Sequence, residues 1–296
     1  MRSIILCICL SLFLANSSFS QMIKVSSERD ESGNVVINAS NADVIPYTLV
    51  FDFSNLQNLS GGASTVISNP GNSRVATLKR INENQGTNYS YTYSYVKGNI
   101  YAKSKIDPVY LIPLPEGITV QAQAMRSLEQ RIKEEQTTTF TGVSFRFSEP
   151  SLILAPRRGI VSAMDMSHNP ENKNLAYSAN ENMIELYHED GTFTRITVLR
   201  AGSEKVKIGQ TVLPGQVLAE SGGENYENGR HVRVVNFRYE KEASGKFQSM
   251  VFPVKYALSE GTEMTFKGQQ IEVAHPEEVI ALELSKKELK SLQEGK

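Results

Sequence analysis

The stretch IELYHEDGTFTRITVLRAGSEKVKIGQTVLPGQVLAESGG, residues 184–223, decides the fold of this chain. Short apolar runs alternate here with tight-turn signals, and no segment keeps a helical period. Glycines stand where tight turns need a positive φ, at Gly191, Gly202, Gly209 and Gly215. The alternating apolar residues are predicted to fill a small barrel-like core: Val206, Ile208, Val212, Val217 and Leu218. The stretch therefore predicts a succession of β-hairpins.

The N-terminal side of the chain shows the same preference for strands. Residues 21–115 contain short β-type runs such as VVINAS, YTLVFDF and RVATLKRI, separated by turns such as NLSGGA and NPGNS. This spacing predicts a β-sandwich of the immunoglobulin-like kind. One run places a row of rings on one face, which suits either a half-buried sandwich face or an aromatic platform for a glycan or peptide: Tyr89, Tyr91, Tyr93 and Tyr95.

The remaining segments complete an all-β chain with little helix. Residues 116–136 include QAQAMRSLEQRIKEEQ, a run of good helix formers without a breaker, which predicts a helical linker. Strand and turn signals then continue through residues 137–280 and predict a second β domain. Residues 281–296 alternate leucines with charges and predict a charged tail or a short C-terminal helix.

The first residues predict export. Residues 1–20 have a basic start, an apolar run and small residues before Gln21, the pattern of a secretory signal peptide that is too short for a membrane span. Cys7 and Cys9 both lie in this segment, so we expect a mature chain without disulfides or thiolate metal sites, located in the periplasm or outside the cell. The formal net charge of −1 gives no reason to expect nucleic acid or an anionic membrane as a partner.

Three parts of the sequence carry a family resemblance: APRRGIV, residues 184–223 and GRHVRV. Together they resemble the lysostaphin-like, or LytM-type, zinc metallopeptidases, which cut peptide cross-bridges in bacterial cell walls. The resemblance covers about residues 137–240 and implies an antiparallel β-sheet or barrel-sandwich domain. Similar turns occur in biotinyl and lipoyl carrier domains, and Met164-Asp165-Met166 imitates their attachment motif. Asp165 stands where the carrier lysine would be, so this alternative lacks its nucleophile.

The resemblance also implies where the family's zinc site should be. Active members bind zinc through an upstream histidine, an aspartate and the second histidine of a His-x-His strand, with further histidines assisting the bound water. Carried onto this sequence, the metal positions are degenerate at Phe140, Ser144 and Arg233, and a catalytic histidine is lost at Val198. Only His231 remains, so we expect no intact catalytic residue, no metal and no cofactor.

Arginines are expected to make the predicted cleft basic. Arg157, Arg158 and Arg230 are expected to join His231 and Arg233 in a basic binding cleft that suits a carboxylate such as a peptide-stem terminus, with solvated surface arginines as the plainer reading. We therefore expect a secreted, catalytically inactive LytM-like protein that binds or regulates peptidoglycan or a cell-wall hydrolase. The alternatives are an active zinc-dependent peptidoglycan endopeptidase with an atypical site and a purely structural envelope protein.

Overall fold

The computed structural model describes residues 22–104, 106–126, 140–170, 174–176, 178 and 180–294. It confirms the predicted all-β fold, with short helices near the C-terminus. Within this described part of the chain, no helix has the length and apolar character needed to cross a membrane. The predicted signal peptide lies outside the described residues.

The N-terminal strands form two sheets that face each other across one core. The first sheet has the order β1-β2-β6-β4 and the second has the order β5-β3-β7. Buried Ile37, Leu49 and Leu78 come from both sheets, as a sandwich requires. The strands are β1 Ile23–Arg29, β2 Val35–Asn41, β3 Tyr47–Gln57, β4 Leu59–Gly61, β5 Thr65–Ser68, β6 Gly71–Arg80 and β7 Asn88–Lys97.

The tyrosine row of β7 belongs to this sandwich. Tyr89, Tyr91 and Tyr93 are partly buried against its core, and Tyr91 lies edge-on to Phe51 with ring centroids 5.9 Å apart. Tyr95 is 39% exposed at the end of the row. The rings therefore serve packing within the sandwich, which favours the half-buried face over the aromatic platform.

The second domain is built on one large antiparallel sheet with the strand order β15-β12-β13-β14-β17-β10-β9-β21, and β18 also pairs with β17. Smaller sheets, β11-β16 and β20-β19-β8, pack beside it. The first strands are β8 Val109–Tyr110, β9 Thr119–Arg126, β10 Phe140–Arg146, β11 Leu152–Leu154, β12 Gly159–Asp165, β13 Met183–Tyr187 and β14 Phe193–Thr197. The later strands are β15 Thr211–Val212, β16 Val217–Glu220, β17 His231–Lys241, β18 Phe247–Val251, β19 Lys255–Ala257, β20 Thr262–Glu263 and β21 Lys267–Glu272.

The hairpins predicted for residues 184–223 are present. Gly191 has a φ of +83°, and a Cβ atom there would collide with the carbonyl oxygen of Asn99, so only glycine fits this turn. Val212 and Leu218 are buried in the domain core, as predicted. Ile208 was expected in that core but is 52% exposed, because it lies in the turn before β15 and not in a strand.

The predicted helical linker is wrong where the structure describes it. Residues 119–126 form strand β9, which lies between β10 and β21 in the large sheet. Val120 and Ala122 are buried while Gln121 and Gln123 are exposed, a period of two that outweighs the helix propensity of alanine and glutamine. Residues 127–136 lie outside the described residues.

The boundary between the two domains also comes earlier than predicted. Tyr110, Ile112 and Leu114 fall inside the predicted sandwich region of residues 21–115, yet they are buried in the core of the second domain. The chain therefore enters the second domain before residue 110.

A separate apolar cluster joins the two domains. Ile45 follows β2 of the sandwich and packs against Tyr187, Phe193 and Phe237 of the large sheet. Beside this cluster, Lys97 of β7 places its Nζ atom 3.1 Å from a carboxylate oxygen of Glu185 in β13. Apolar packing and a partly buried ion pair thus hold the sandwich against the second domain.

The C-terminal segment is helical, in line with the predicted helix at residues 281–296. Helix α1, Glu277–Ala281, is followed by helix α2, Lys286–Glu294. Ser285 caps α2: its backbone N–H donates to the Glu288 carboxylate, and the Glu288 backbone N–H donates back to the serine hydroxyl. The cap fixes where the second helix starts.

Candidate functional site

Three adjacent strands bring the predicted site residues together. Ser144 of β10 and Thr197 of β14 are both cross-strand neighbours of Arg233 in β17. Directly opposed residues of an antiparallel pair share a face, so these three side chains point to the same side of the sheet. Val232 and Val234 alternate with Arg233 and point into the core. Ser144, Thr197 and Arg233 therefore form one local arrangement on this face of the sheet.

Arg233 is held by an ion pair that the sequence did not reveal. Its Nη1 atom donates to Oε1 of Glu181 at 2.7 Å, and the side chains are only 18% and 13% exposed. The Tyr226 hydroxyl donates to the same carboxylate oxygen at 2.5 Å. The guanidinium carbon also lies 5.3 Å from the centroid of the Tyr226 ring. A cation, an anion and a phenol thus form one compact, neutral group in the cleft.

His231 lies beside this group and is almost fully buried. Its Nδ1–H donates to the carbonyl oxygen of Gly229 at 2.8 Å, and its ring lies edge-on to Tyr226 with centroids 4.9 Å apart. Burial lowers the pKa of His231, and the positive charge of Arg233 lowers the pKa further. The imidazole is therefore neutral near pH 7 and keeps its lone pair on Nε2.

The other two degenerate positions are apolar. Val198 follows β14 with a φ of +69°, and its carbonyl oxygen accepts the Gly222 N–H at 2.9 Å. A narrow cavity of about 70 Å³ lies here, with Val198, Glu181 and Tyr226 in its wall. Phe140 starts β10 and packs, partly buried, against the domain core. Neither side chain has a lone pair that could bind a metal.

A zinc ion does not fit the residues in this cleft. Zinc hydrolases use at least three protein ligands, whereas the ligand types present are His231 and Glu181, and that carboxylate already binds Arg233 and Tyr226. A divalent ion at 4 Å from the guanidinium would be repelled by about 8 kcal/mol at an effective dielectric near 20. Across the described residues, no group of three or more His, Cys, Asp and Glu side chains is placed to hold a metal.

The predicted arginine cluster is only partly correct. Arg230 precedes β17 and pairs with Glu224, a wall residue of the cavity, at 2.9 Å. Arg157 and Arg158, in contrast, lie before β12 and contact the C-terminal segment. The grouping of these two arginines with the cleft was wrong, because sequence proximity to a shared motif does not place residues at the same end of a sheet.

The remaining histidines have structural partners. His168 pairs with Asp165 at 3.1 Å, and His275 contacts the carbonyl oxygen of Ile112 at 3.2 Å. His188 is fully buried, and burial lowers its pKa to about 3. Its Nδ1–H donates to the carbonyl oxygen of Arg158 at 2.7 Å, and its Nε2 lies 2.8 Å from the Thr194 hydroxyl oxygen.

Sequence reasoning missed Glu181 and Tyr226, the two residues that define the cleft. Glu181 stands just before β13 and Tyr226 in the loop before β17, 45 positions apart. No spacing rule links such positions. A tyrosine close to the His-x-Arg strand was the only available signal.

Residues 138–244 match the profile of peptidase family M23, which confirms the predicted resemblance over that part of the chain. Similar solved structures include the SpoIIQ-SpoIIIAH pore forming complex, with 18% identity and a TM-score of 0.33 over 49% of this chain and 89% of that chain. They also include Helicobacter pylori Csd3, with 10% identity and a TM-score of 0.32 over 92% and 84% of the two chains. A zinc containing peptidase from Vibrio cholerae has 10% identity and a TM-score of 0.27 over 72% and 81%. A comparison with curated proteins found no match.

Proposed function

We propose that this chain is an exported, catalytically inactive relative of the M23 peptidases that acts as a binding or regulatory module of the cell envelope. Its proposed partner is peptidoglycan or a cell-wall hydrolase, and it works without a cofactor. The family match over residues 138–244 supports the relationship. The observation that carries the proposal is the ion pair between Glu181 and Arg233, the residue that the resemblance aligns with a zinc ligand.

The chemistry of this group favours recognition over hydrolysis. Arg233 lies in a cleft of low exposure, and its guanidinium has further N–H donors beyond the one that Glu181 accepts. A cavity of about 70 Å³, lined by its partners Glu181 and Tyr226, admits a group as small as a carboxylate. A peptide-stem terminus presents such a group. Tyr226 lines this cavity, and the neutral His231 packs against the Tyr226 ring, with centroids 4.9 Å apart.

Sedimentation with insoluble peptidoglycan tests the proposal. We expect the wild-type protein to sediment with the polymer and Arg233→Gln to bind roughly tenfold more weakly, since a charged hydrogen bond is lost. Arg238→Gln is the matched control, because Arg238 lies on the same strand with a side chain that is 57% exposed and is paired with Glu240. Equal binding by wild type and Arg233→Gln would contradict the role of the cleft.

Two further outcomes separate the alternatives. Stoichiometric zinc in the purified protein, together with hydrolysis of cell-wall peptide that His231→Ala abolishes, would establish the active endopeptidase. Failure to bind either peptidoglycan or a purified cell-wall hydrolase would leave the purely structural envelope protein. Each outcome rejects the proposed binding function.

A further inference from the structure

A second charged site lies at the end of the large sheet away from the cleft. Arg157 precedes β12, and its guanidinium is 1% exposed. The cleft lies near the start of β13, where Met183 is aligned with Thr197, whereas Asp190 and the pocket beside Arg157 follow the end of that strand. The five residues of β13 separate the two ends by about 13 Å. The second site is therefore distinct and does not depend on the function proposed above.

The C-terminal segment, defined here as residues 277–294, fills this site with two carboxylates. Glu283 accepts from Nε and Nη2 of Arg157 at 2.7 and 2.6 Å, a bidentate pair. Glu288 accepts from Nε of Arg158 at 3.0 Å. Adjacent arginines on one side thus match acidic residues five positions apart on the other.

Besides its contact with Asp190, the buried guanidinium has one edge left for a further carboxylate. Its Nη1 donates to the Tyr110 hydroxyl at 2.9 Å, and its Nη2 also contacts Asp190 at 2.8 Å. The edge formed by Nε and Nη2 is therefore the one that Glu283 occupies. A phosphate dianion at this edge would stand next to the Asp190 carboxylate and be repelled, so a monoanionic carboxylate is the better ligand.

The C-terminal segment has few apolar contacts to hold it there. None of residues 277–291 is buried, and Leu282 is 41% exposed. Next to the segment lies a pocket of about 470 Å³, bordered by Arg157, Arg158 and Leu284, which is within the usual size of a ligand site. Ion pairs keep the segment in place. Because the segment belongs to the same chain, its effective concentration at the arginines is of about millimolar order.

We propose that Arg157 and Arg158, with the pocket beside them, form a binding site for an acidic, leucine-containing peptide segment of a partner protein, and that Glu283 and Glu288 hold the two arginines in the isolated chain. The partner segment displaces the C-terminal segment and places its own carboxylates on Arg157 and Arg158. The site recognises two carboxylates on an amphipathic segment, which is the chemistry that the resident segment displays.

Peptide binding to the full chain tests this site. The probe is a fluorescent peptide with the sequence of residues 277–294, EEVIALELSKKELKSLQE, and the readout is anisotropy. The full-length double variant Glu283→Gln, Glu288→Gln should bind it at least about tenfold more tightly than wild type, because its own segment has lost both charges. Glu278→Gln, a change at an exposed residue of the same segment, should behave like wild type.

The control peptide carries glutamine at the positions of Glu283 and Glu288. It should bind the double variant roughly tenfold more weakly than the acidic peptide. Circular dichroism and thermal unfolding of the double variant establish that it is folded, since Asp190 still pairs with Arg157. A folded double variant that fails to bind the acidic peptide would overturn the proposal, as would equal binding of the two peptides or of the two proteins.

Measurement of the molecular mass in solution tests whether a second copy of this chain occupies the site instead. If the wild-type protein forms a dimer that the double substitution dissolves, the site belongs to the C-terminal segment of a second copy. That result would overturn the assignment to a partner protein.

Discussion

Restoring the three degenerate metal positions tests the central interpretation of the cleft. The variant Phe140→His, Ser144→Asp, Arg233→His supplies a histidine, a carboxylate and a second histidine from adjacent strands β10 and β17. It also removes the guanidinium, whose repulsion of a divalent ion at 4 Å is about 8 kcal/mol at an effective dielectric near 20. We expect the variant to bind zinc at about 1 µM or tighter, which corresponds to about 8 kcal/mol.

The variant should remain folded. Loss of Arg233 leaves Glu181 with the Tyr226 hydroxyl as a donor at 2.5 Å, so the carboxylate keeps one hydrogen bond. The expected cost is about 1–3 kcal/mol, less than the stability of an ordinary domain. Circular dichroism and thermal unfolding check this point before any metal is added.

Isothermal titration with zinc is the assay, and its control is the variant Phe140→His, Ser144→Asp with Arg233 retained. The guanidinium and its partner Glu181 persist in that control, so it should bind zinc at least about 100-fold more weakly. A folded triple variant that binds no zinc would refute the assignment of these positions. Stoichiometric zinc in the wild-type protein would refute the argument that Arg233 opposes a metal.

Three further predictions concern stability. Gly191→Ala should lower the free energy of unfolding by more than about 3 kcal/mol, because its Cβ meets a backbone carbonyl. Gly215 has a similar φ of +79° but open space around it, so Gly215→Ala should lower the free energy of unfolding by only about 1–2 kcal/mol. Urea titration of both variants measures the difference. Burial lowers the pKa of His188 to about 3, below its usual value of about 6.5. The neutral His188 therefore contributes fully to the free energy of unfolding above about pH 6.5, and this contribution is lost as pH falls toward about 3. The urea midpoint should therefore fall between about pH 6.5 and pH 4.5, less steeply in His188→Asn, and identical slopes would contradict this reasoning. Phe193→Ala should cost about 3–5 kcal/mol by emptying the cluster between the domains. Tyr101→Ala, at a residue that is 57% exposed, should change stability by less than about 0.5 kcal/mol, and equal losses in the two variants would argue against this packing.

The sequence predicted the fold best where backbone geometry depends on local residues. The turn glycines of residues 184–223 were assigned positive φ angles, and Gly191 and Gly215 have values of +83° and +79°. The class of the chain and the helical C-terminus were also predictable, because period-two patterns and capping residues act over a few positions. Local chemistry was sufficient for these features.

Strand β9 shows where local reasoning fails. Its residues include good helix formers such as Gln121, Ala122 and Gln123, and an isolated peptide of this composition favours a helix. In the protein this segment is paired on both sides, with β10 and β21, and Ala122 is fully buried. The pairing comes from residues far away in the sequence, and no window of local propensity contains that information.

The candidate site was predictable in part for a similar reason. The resemblance assigned Ser144 and Arg233 to metal positions, and the structure makes them direct cross-strand neighbours. The counter-ion Glu181 and the misplaced Arg157 depend on loop positions and on the path of the C-terminal segment, which the motif does not specify. A family motif thus locates the strands of a cleft but not the charged residues that pair with its side chains.

The position of β9 and β21 determines which fragment of the chain can contain the whole second domain. The family match ends at residue 244, yet β9 precedes it and β19 and β21 follow it, and these strands complete the sheets. Tyr256 and Phe266, both buried in the core, also lie beyond the match. A fragment cut at the family limits would leave the backbone edge of β10 unpaired and its apolar face uncovered, conditions that favour aggregation. The smallest autonomous unit therefore begins before Tyr110 and continues past Val273, beyond both limits of the family match.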